Sequence, residues 1–161
     1  MASPLLEQVK LQAQVLVPVL RAFRQELGAE RANRIAWQAL AEWRQQLVRE
    51  MAADVPGHGA ERWVQHVVST TEQIGDAIDV QFLKQDPEAI DFNITGCRFA
   101  QFFRELGEPE LGFALLCALD DTVAEEIGDG EVKLTRSGTI MQGASHCDFR
   151  YALRRAGVST T

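Results

Sequence analysis

The residues best suited to chemistry in this sequence are three cysteines and a few polar neighbours: Asn93, Cys97, Cys117, Asp120, His146, Cys147 and Asp148. None falls in a common catalytic or phosphate-binding signature. There is no G-x-x-x-x-G-K-[ST], G-x-G-x-x-G, G-x-S-x-G, H-E-x-x-H or C-x-x-C. Cys97 lies between a strand pattern and a helix pattern. Its sulfur should meet free N–H groups at the positive helix end, which favours the nucleophilic thiolate. Arg98 beside it would act in the same direction. The alternative is a small buried hydrophobe. Cys117 precedes Asp120 by three residues, so on one helix a thiol and a carboxylate share a face. Against this stands Cys117 as core filler, with Asp120 and Asp121 capping the next turn. His146, Cys147 and Asp148 open the last strand. Alternation puts Cys147 with Phe149 and Tyr151 on one face, and His146 with Asp148 and Arg150 on the other. His146 and Cys147 reach one site only if the segment Gly143–His146 is irregular. His58 and His66 read as loop and helix-surface residues.

The cysteine spacing, C-x19-C-x29-C, lacks the close pair with which a structural zinc site usually begins. A metal-free site is therefore expected. Zinc held by Cys97, Cys117 and Cys147, or by two thiolates and Asp120, is the alternative and would need the chain to gather them in space.

The elements that must position these residues fall into two halves. Residues 1–75 read as helix. Ser3-Pro4 is a cap and first-turn pair, followed by Leu6, Val9, Ala13, Leu16, Leu20, Phe23 and Leu27 on one face. Pro18 inside that stripe should kink or split the helix, and Gly28 should stop it. A second helix, about 29–53, presents Ala32, Ile35, Ala36, Ala39, Leu40, Trp43, Leu47 and Met51. A third, about 60–74, presents Ala60, Trp63, Val64, Val67, Thr71 and Ile74. At Gly75 the period changes to two. Ile78, Val80 and Phe82, then Ile90, Phe92 and Ile94, make a hairpin around Gln85-Asp-Pro-Glu88. Short helices follow at about 98–106 and 109–119, the second apolar nearly all round and so buried. A helical turn at about 121–127 and two strands, about 131–136 and 147–153, complete residues 76–155. The expected fold is α+β. N-terminal helices should pack on an antiparallel sheet of about four strands, with the short helices between its two hairpin halves, as one domain over 1–161.

Composition excludes several function classes. An apolar fraction of 46% is that of a globular chain rather than a disordered one. A net charge of −7 argues against a nucleic-acid or anionic-lipid partner. The charge is uneven, with nine acidic and no basic residues in 105–131. Lys133, Arg136, Arg150, Arg154 and Arg155 follow against the single Asp148. The acidic segment reads first as a solvated face. The sharper alternative packs the basic segment beside it or turns it toward an anionic ligand. An odd cysteine count and no leader or spanning segment suggest a soluble cytoplasmic protein with free thiols. The expected partner is a small-molecule substrate, with neither nucleic acid nor membrane, and with self-association left open.

Four stretches then stand out together: Phe92-Asn-Ile-Thr-Gly-Cys97-Arg-Phe-Ala, Leu106-Gly-Glu-Pro-Glu-Leu111, Cys117-Ala-Leu-Asp120 and Gly143-Ala-Ser-His-Cys147-Asp-Phe-Arg-Tyr151. In order and spacing they resemble the L-2-amino-thiazoline-4-carboxylic acid hydrolase family, well over residues 75–152 and more loosely before. The resemblance implies a small bacterial hydrolase. The named activity breaks the C–S bond of a cyclic thiazoline to give N-carbamoyl-cysteine. Asn93, Cys97, Cys117, Asp120, Gly143, Cys147 and Asp148 stand in the family's pattern. With the residue reading, this gives Cys97, Asp120, Cys147 and His146 as candidate catalytic groups. Either Cys97 attacks the amidine carbon or Asp120 activates water, and Asp120 or His146 protonates the departing sulfur. Asn93, Arg98, Arg136 and Arg150 are candidates for the substrate, guanidinium being suited to a carboxylate. A metal-assisted hydrolase and a non-enzymatic small-molecule or partner-binding domain remain the alternatives.

Overall fold

The computed structural model describes residues 3–154. Arg155 of the basic tail lies outside them. The helical half consists of α1 (Pro4–Leu27), α2 (Ala29–Asp54) and α3 (Gly59–Ile74). As expected, the Ser3 hydroxyl caps α1, accepting from the Leu6 N–H at 3.1 Å. It also donates to the Gln73 carbonyl at 3.2 Å, tying the start of α1 to the end of α3. Gly28, at φ 80°, turns the chain between α1 and α2, a conformation in which a β-carbon is disfavoured.

Two expectations for these helices are corrected. Pro18 does not split α1, which runs unbroken through it. Pro18 and Gln14 are exposed, so the Gln14 carbonyl that loses its N–H partner faces water. Buried Ala13, Val17 and Leu20 hold the two halves in line from the other side. The apolar stripes are also narrower than the sequence suggests. Phe23, Leu27, Ile35, Trp43, Val64 and Val67 are all exposed, and Trp63 is the large buried side chain of α3. Periodicity identifies a face but not whether anything covers it.

The second half contains β1 (Ile78–Gln85), β2 (Ala89–Cys97), α4 (Arg98–Glu105), α5 (Pro109–Leu115), α6 (Asp120–Ile127), β3 (Val132–Thr135) and β4 (Cys147–Leu153). Short 3-10 turns cover Gly75–Ala77, Cys117–Leu119 and Ile140–Gln142. The four strands form one antiparallel sheet in the order β1-β2-β4-β3, so the fold is α+β. The β1–β2 turn is built by Asp86, whose carboxylate accepts from the Glu88 and Ala89 amides at 2.9 and 2.8 Å. Register assigns the faces. Phe92 lies opposite Phe149, Ile94 opposite Cys147 and Ile90 opposite Tyr151, whereas Asn93 lies opposite Asp148 and Asp91 opposite Arg150. The first set faces the helices. There Phe92 and Phe149 stack at 5.0 Å and Trp63 meets Tyr151 at 4.6 Å. One hydrophobic cluster extends from Leu6 to Tyr151.

Helix α5 is buried as expected, at Leu111, Gly112, Ala114 and Leu115. A β-carbon on Gly112 would come within 2.6 Å of the fully buried Phe103 ring, so only glycine lets α5 approach α4 this closely. The helix stops at Leu115 instead of continuing to Leu119. Arg44 donates to the Ala114 carbonyl near its end, and Arg136 donates to the Cys117 carbonyl in the 3-10 turn that follows.

The acidic segment is not merely a solvated face. Glu108 is 4% exposed and accepts both oxygens' bonds from Arg24, each at 2.8 Å, with Arg21 at 3.2 Å. Asp129 and Glu131 accept from the first amides of α3, Gly59 at 2.7 Å and Ala60 at 3.0 Å.

Asp148 fastens the connection between β3 and β4. It accepts from the Ser137 amide and hydroxyl and from the Gly138 amide, at 2.6–3.0 Å. Partial burial opposes its charge, but these donors outweigh it and pull the carboxyl down to about 2. A depressed carboxyl stabilises the fold above its unfolded value near 4, and that contribution disappears as the pH falls toward 2. Asp148→Ala should therefore melt below the parent at neutral pH, with the gap closing by about pH 2. Thermal melting of both proteins across this range checks it, and a gap independent of pH would contradict it.

Candidate active site

Four separate segments bring one group of candidate side chains to the helix-facing side of the sheet. Cys97 ends β2 and caps α4, its sulfur accepting from the Ala100 amide at 3.4 Å. Cys147 begins β4, and its sulfur accepts from the Ile140 amide at 3.2 Å. Cys117 lies in the turn after α5, and Asp120 opens α6. Arg136, just beyond β3, crosses to them. Its Nη1 donates to the Asp120 Oδ2, its Nη2 donates to the Cys117 carbonyl at 2.8 Å, and its guanidinium lies 5.1 Å above the Phe149 ring. The three thiols, Asp120 and Arg136 are close enough for their charges to act on one another. The sharper sequence reading of the basic segment is thus met at Asp120 and Arg136.

The electrostatics separate the carboxylate from the thiols. Burial pushes Cys97 up, and this outweighs the Ala100 and Phe99 amides and the charge of Arg104. The expectation of a favoured Cys97 thiolate is corrected: capping amides are present, but desolvation exceeds them. Burial likewise raises Cys117, reinforced by Asp120, and raises Cys147 against the Ile140 amide. Burial also raises Asp120, to about 6, with the Arg136 guanidinium pulling the other way. At neutral pH the group therefore combines protonated thiols with a carboxylate close to its midpoint. Asp120 keeps about a third of its side chain exposed, whereas Arg136 keeps 7%.

The remaining candidates lie elsewhere. Asn93 and Arg150 are on the opposite face of the sheet and bond to each other, Nη2 to Oδ1 at 2.9 Å. Arg150 also donates to the carbonyls of Phe92 and Phe149. The two-residue period accounts for this, since Asn93 pairs with Asp148 and Arg150 with Asp91 on the face turned away from the helices. Arg98 is exposed and paired with Asp76 at 2.9 Å, away from the sulfur it adjoins in sequence. His146 meets the Ser145 hydroxyl at 2.9 Å through Nδ1, in the segment leading into β4. Arg104, which the sequence reading passed over, acts on Cys97 and bonds the Ile140 carbonyl. Its signal was a spacing of seven residues from Cys97, two helical turns on the same side. Among the described residues no three His, Cys, Asp or Glu side chains are placed to hold a metal ion. Two clefts of about 280 and 350 Å³ lie along α1, one beside Glu108 and one against Phe102 and Leu106, and neither is lined by a cysteine. No helix among the described residues is long and apolar enough to cross a membrane.

The model of the L-2-amino-thiazoline-4-carboxylic acid hydrolase family matches residues 8–151. No curated protein matches the chain. Among solved structures, the chain is similar to the phenol-responsive sensory domain of the transcription activator PoxR, solved with phenol. Identity is 13%, the match covers 86% of this chain and 72% of that one, and the TM-score is 0.47.

Proposed function

The chain belongs to the L-2-amino-thiazoline-4-carboxylic acid hydrolase family, and on that premise we propose that it hydrolyses a small cyclic amidine or thiazoline carrying a carboxylate. The observation that carries this reading is the contact of Asp120 with Arg136 beside three thiols on one face of the sheet. The amidine carbon of a protonated amino-thiazoline is electrophilic. Asp120, with a carboxyl near 6, is suited to take a proton from water as that water attacks the carbon. The tetrahedral adduct then expels its sulfur. The C–S bond breaks, the proton held by Asp120 passes to the departing thiolate, and the proton carried in on the amidine leaves the new carbonyl for solvent. One water is consumed and the product is an N-carbamoyl-cysteine. Arg136 uses two N–H groups on Asp120 and Cys117 and retains others for an incoming carboxylate.

Direct attack by Cys97 is the weaker form of this reading, because its thiol is held up by burial. Cys97→Ala should accordingly leave turnover of L-2-amino-thiazoline-4-carboxylic acid within about tenfold of the parent, a change worth only ~1.4 kcal/mol. Chromatographic detection of N-carbamoyl-cysteine measures it. Loss beyond a thousandfold in folded protein would return the nucleophile to Cys97. No turnover by the parent of this or a related cyclic amidine, together with saturable binding, would favour the small-molecule-binding alternative.

A further inference from the structure

Tyr151 is the one tyrosine of the chain, and neither the fold nor the reaction above uses its hydroxyl. The residue is 8% exposed. Trp63 holds its ring at 4.6 Å, and Phe92 and Phe149 hold it at 6.0 Å each. A phenylalanine would supply all of that packing. The hydroxyl has no hydrogen-bond partner among the described residues. It is not sealed in either, because no fully buried polar side-chain atom there is left unpaired. A nearly buried hydroxyl usually finds a partner, and one without it gives up hydration for nothing in the free protein.

The sheet places this hydroxyl beside the candidate site. Tyr151 pairs with Leu134, so Arg136, two residues on, is its diagonal neighbour on the helix-facing side. Arg136 lies over the ring of Phe149, which stacks with Tyr151, and bonds Asp120. The charges of Asp120, Arg136 and Asp121 all act on the phenol, and burial keeps it neutral by raising it above its ordinary value. We infer that the Tyr151 hydroxyl is a further substrate-binding group of this site, accepting an N–H of the protonated amidine. The inference rests on the hydrolase reading of the site. Two carboxylates against one guanidinium favour the cationic end of the substrate here, while its carboxylate goes to Arg136. A phenol oxygen keeps lone pairs for such an N–H whichever way its own proton turns.

Tyr151→Phe keeps the ring and removes only the oxygen. Since that oxygen bonds nothing in the free protein, the variant should melt at or above the parent's temperature. It should raise KM for L-2-amino-thiazoline-4-carboxylic acid by about tenfold, the scale of one hydrogen bond to a charged group, with kcat within about threefold. Melting more than about 4 °C below the parent would make the hydroxyl structural. A KM within about twofold of the parent's would remove it from substrate binding. A second measurement is independent of turnover. With one tyrosine in the chain, 3-fluorotyrosine incorporation gives a single 19F resonance. In the Asp120→Asn protein, where hydrolysis should be slow, that resonance should shift saturably as L-2-amino-thiazoline-4-carboxylic acid is added. A resonance that stays fixed while the parent turns the compound over overturns the inference and leaves the hydrolase reading intact. A saturable shift without turnover by the parent does the reverse. A fixed resonance without turnover overturns both.

Discussion

Asp120→Asn should lower kcat/KM for thiazoline opening by about two to four orders of magnitude, the usual contribution of a positioned general base. Asparagine still offers Arg136 an acceptor, so the buried guanidinium keeps a partner and the fold should persist. The parent's rate should fall as the pH drops through about 6, where the raised carboxyl takes up its proton. Stability should move the other way. A carboxyl held above its ordinary value binds its proton more tightly in the folded state, so its contribution is complete below about pH 4 and is lost as the pH rises through about 6. The asparagine variant should lack both features. Rates and melting temperatures between pH 4 and 8 decide the matter. A variant that keeps the parent's rate, or still shows an inflection near 6, removes Asp120 from the base role.

Glu108→Ala should be the most damaging single change to stability outside the apolar core. It removes the shared acceptor of Arg24 and Arg21, leaving Arg24, 23% exposed, without its carboxylate. Breaking a fully buried pair costs about 3–5 kcal/mol. Water reaches Arg21, 53% exposed, so about 2–3 kcal/mol is expected here. For a chain of this size that lowers the melting temperature by roughly 5–10 °C. Glu108→Gln keeps one acceptor and should lose about half as much. The double change Glu108→Met with Arg24→Met should recover part of the loss, because apolar groups of similar volume leave no charge stranded. A Glu108→Ala protein melting within about 2 °C of the parent would mean that α1 is held to the α4–α5 corner by packing alone.

Much of the architecture was legible because it depends on local chemistry. Ser3-Pro4, Gly28 and Asp86 mark boundaries through capping and backbone geometry, and these act within a few residues. The alternation of Phe92 with Asn93 and of Phe149 with Arg150 already assigns the two sheet faces. Read strictly, that alternation should have removed Asn93 and Arg150 from any site containing Cys147. The end of α5 was not legible. Arg44 arrives from a distant segment to bond the Ala114 carbonyl at its end, and Arg136 bonds the Cys117 carbonyl of the turn beyond. Nor was the state of Cys97. The sequence reveals the capping amides, but desolvation is set by everything that packs around the sulfur.

The odd cysteine count, the acidic segment and the basic residues after it are properties of the sequence alone, and they single out Cys97, Cys117, Asp120, Arg136 and Cys147 among the residues to follow. Spacing could not decide among them. Arg136 and Arg150 look equivalent in sequence, yet one is folded beneath Asp120 and the other is spent on Asn93 and two carbonyls. Only the tertiary structure separates them, because β4 is inserted between β2 and β3 and each strand residue is committed to one side of the sheet. The same packing buries thiols and carboxylate alike but sets the Arg136 guanidinium directly against Asp120. The protonation states on which any reaction here depends follow from that difference, which no spacing of residues along the chain contains.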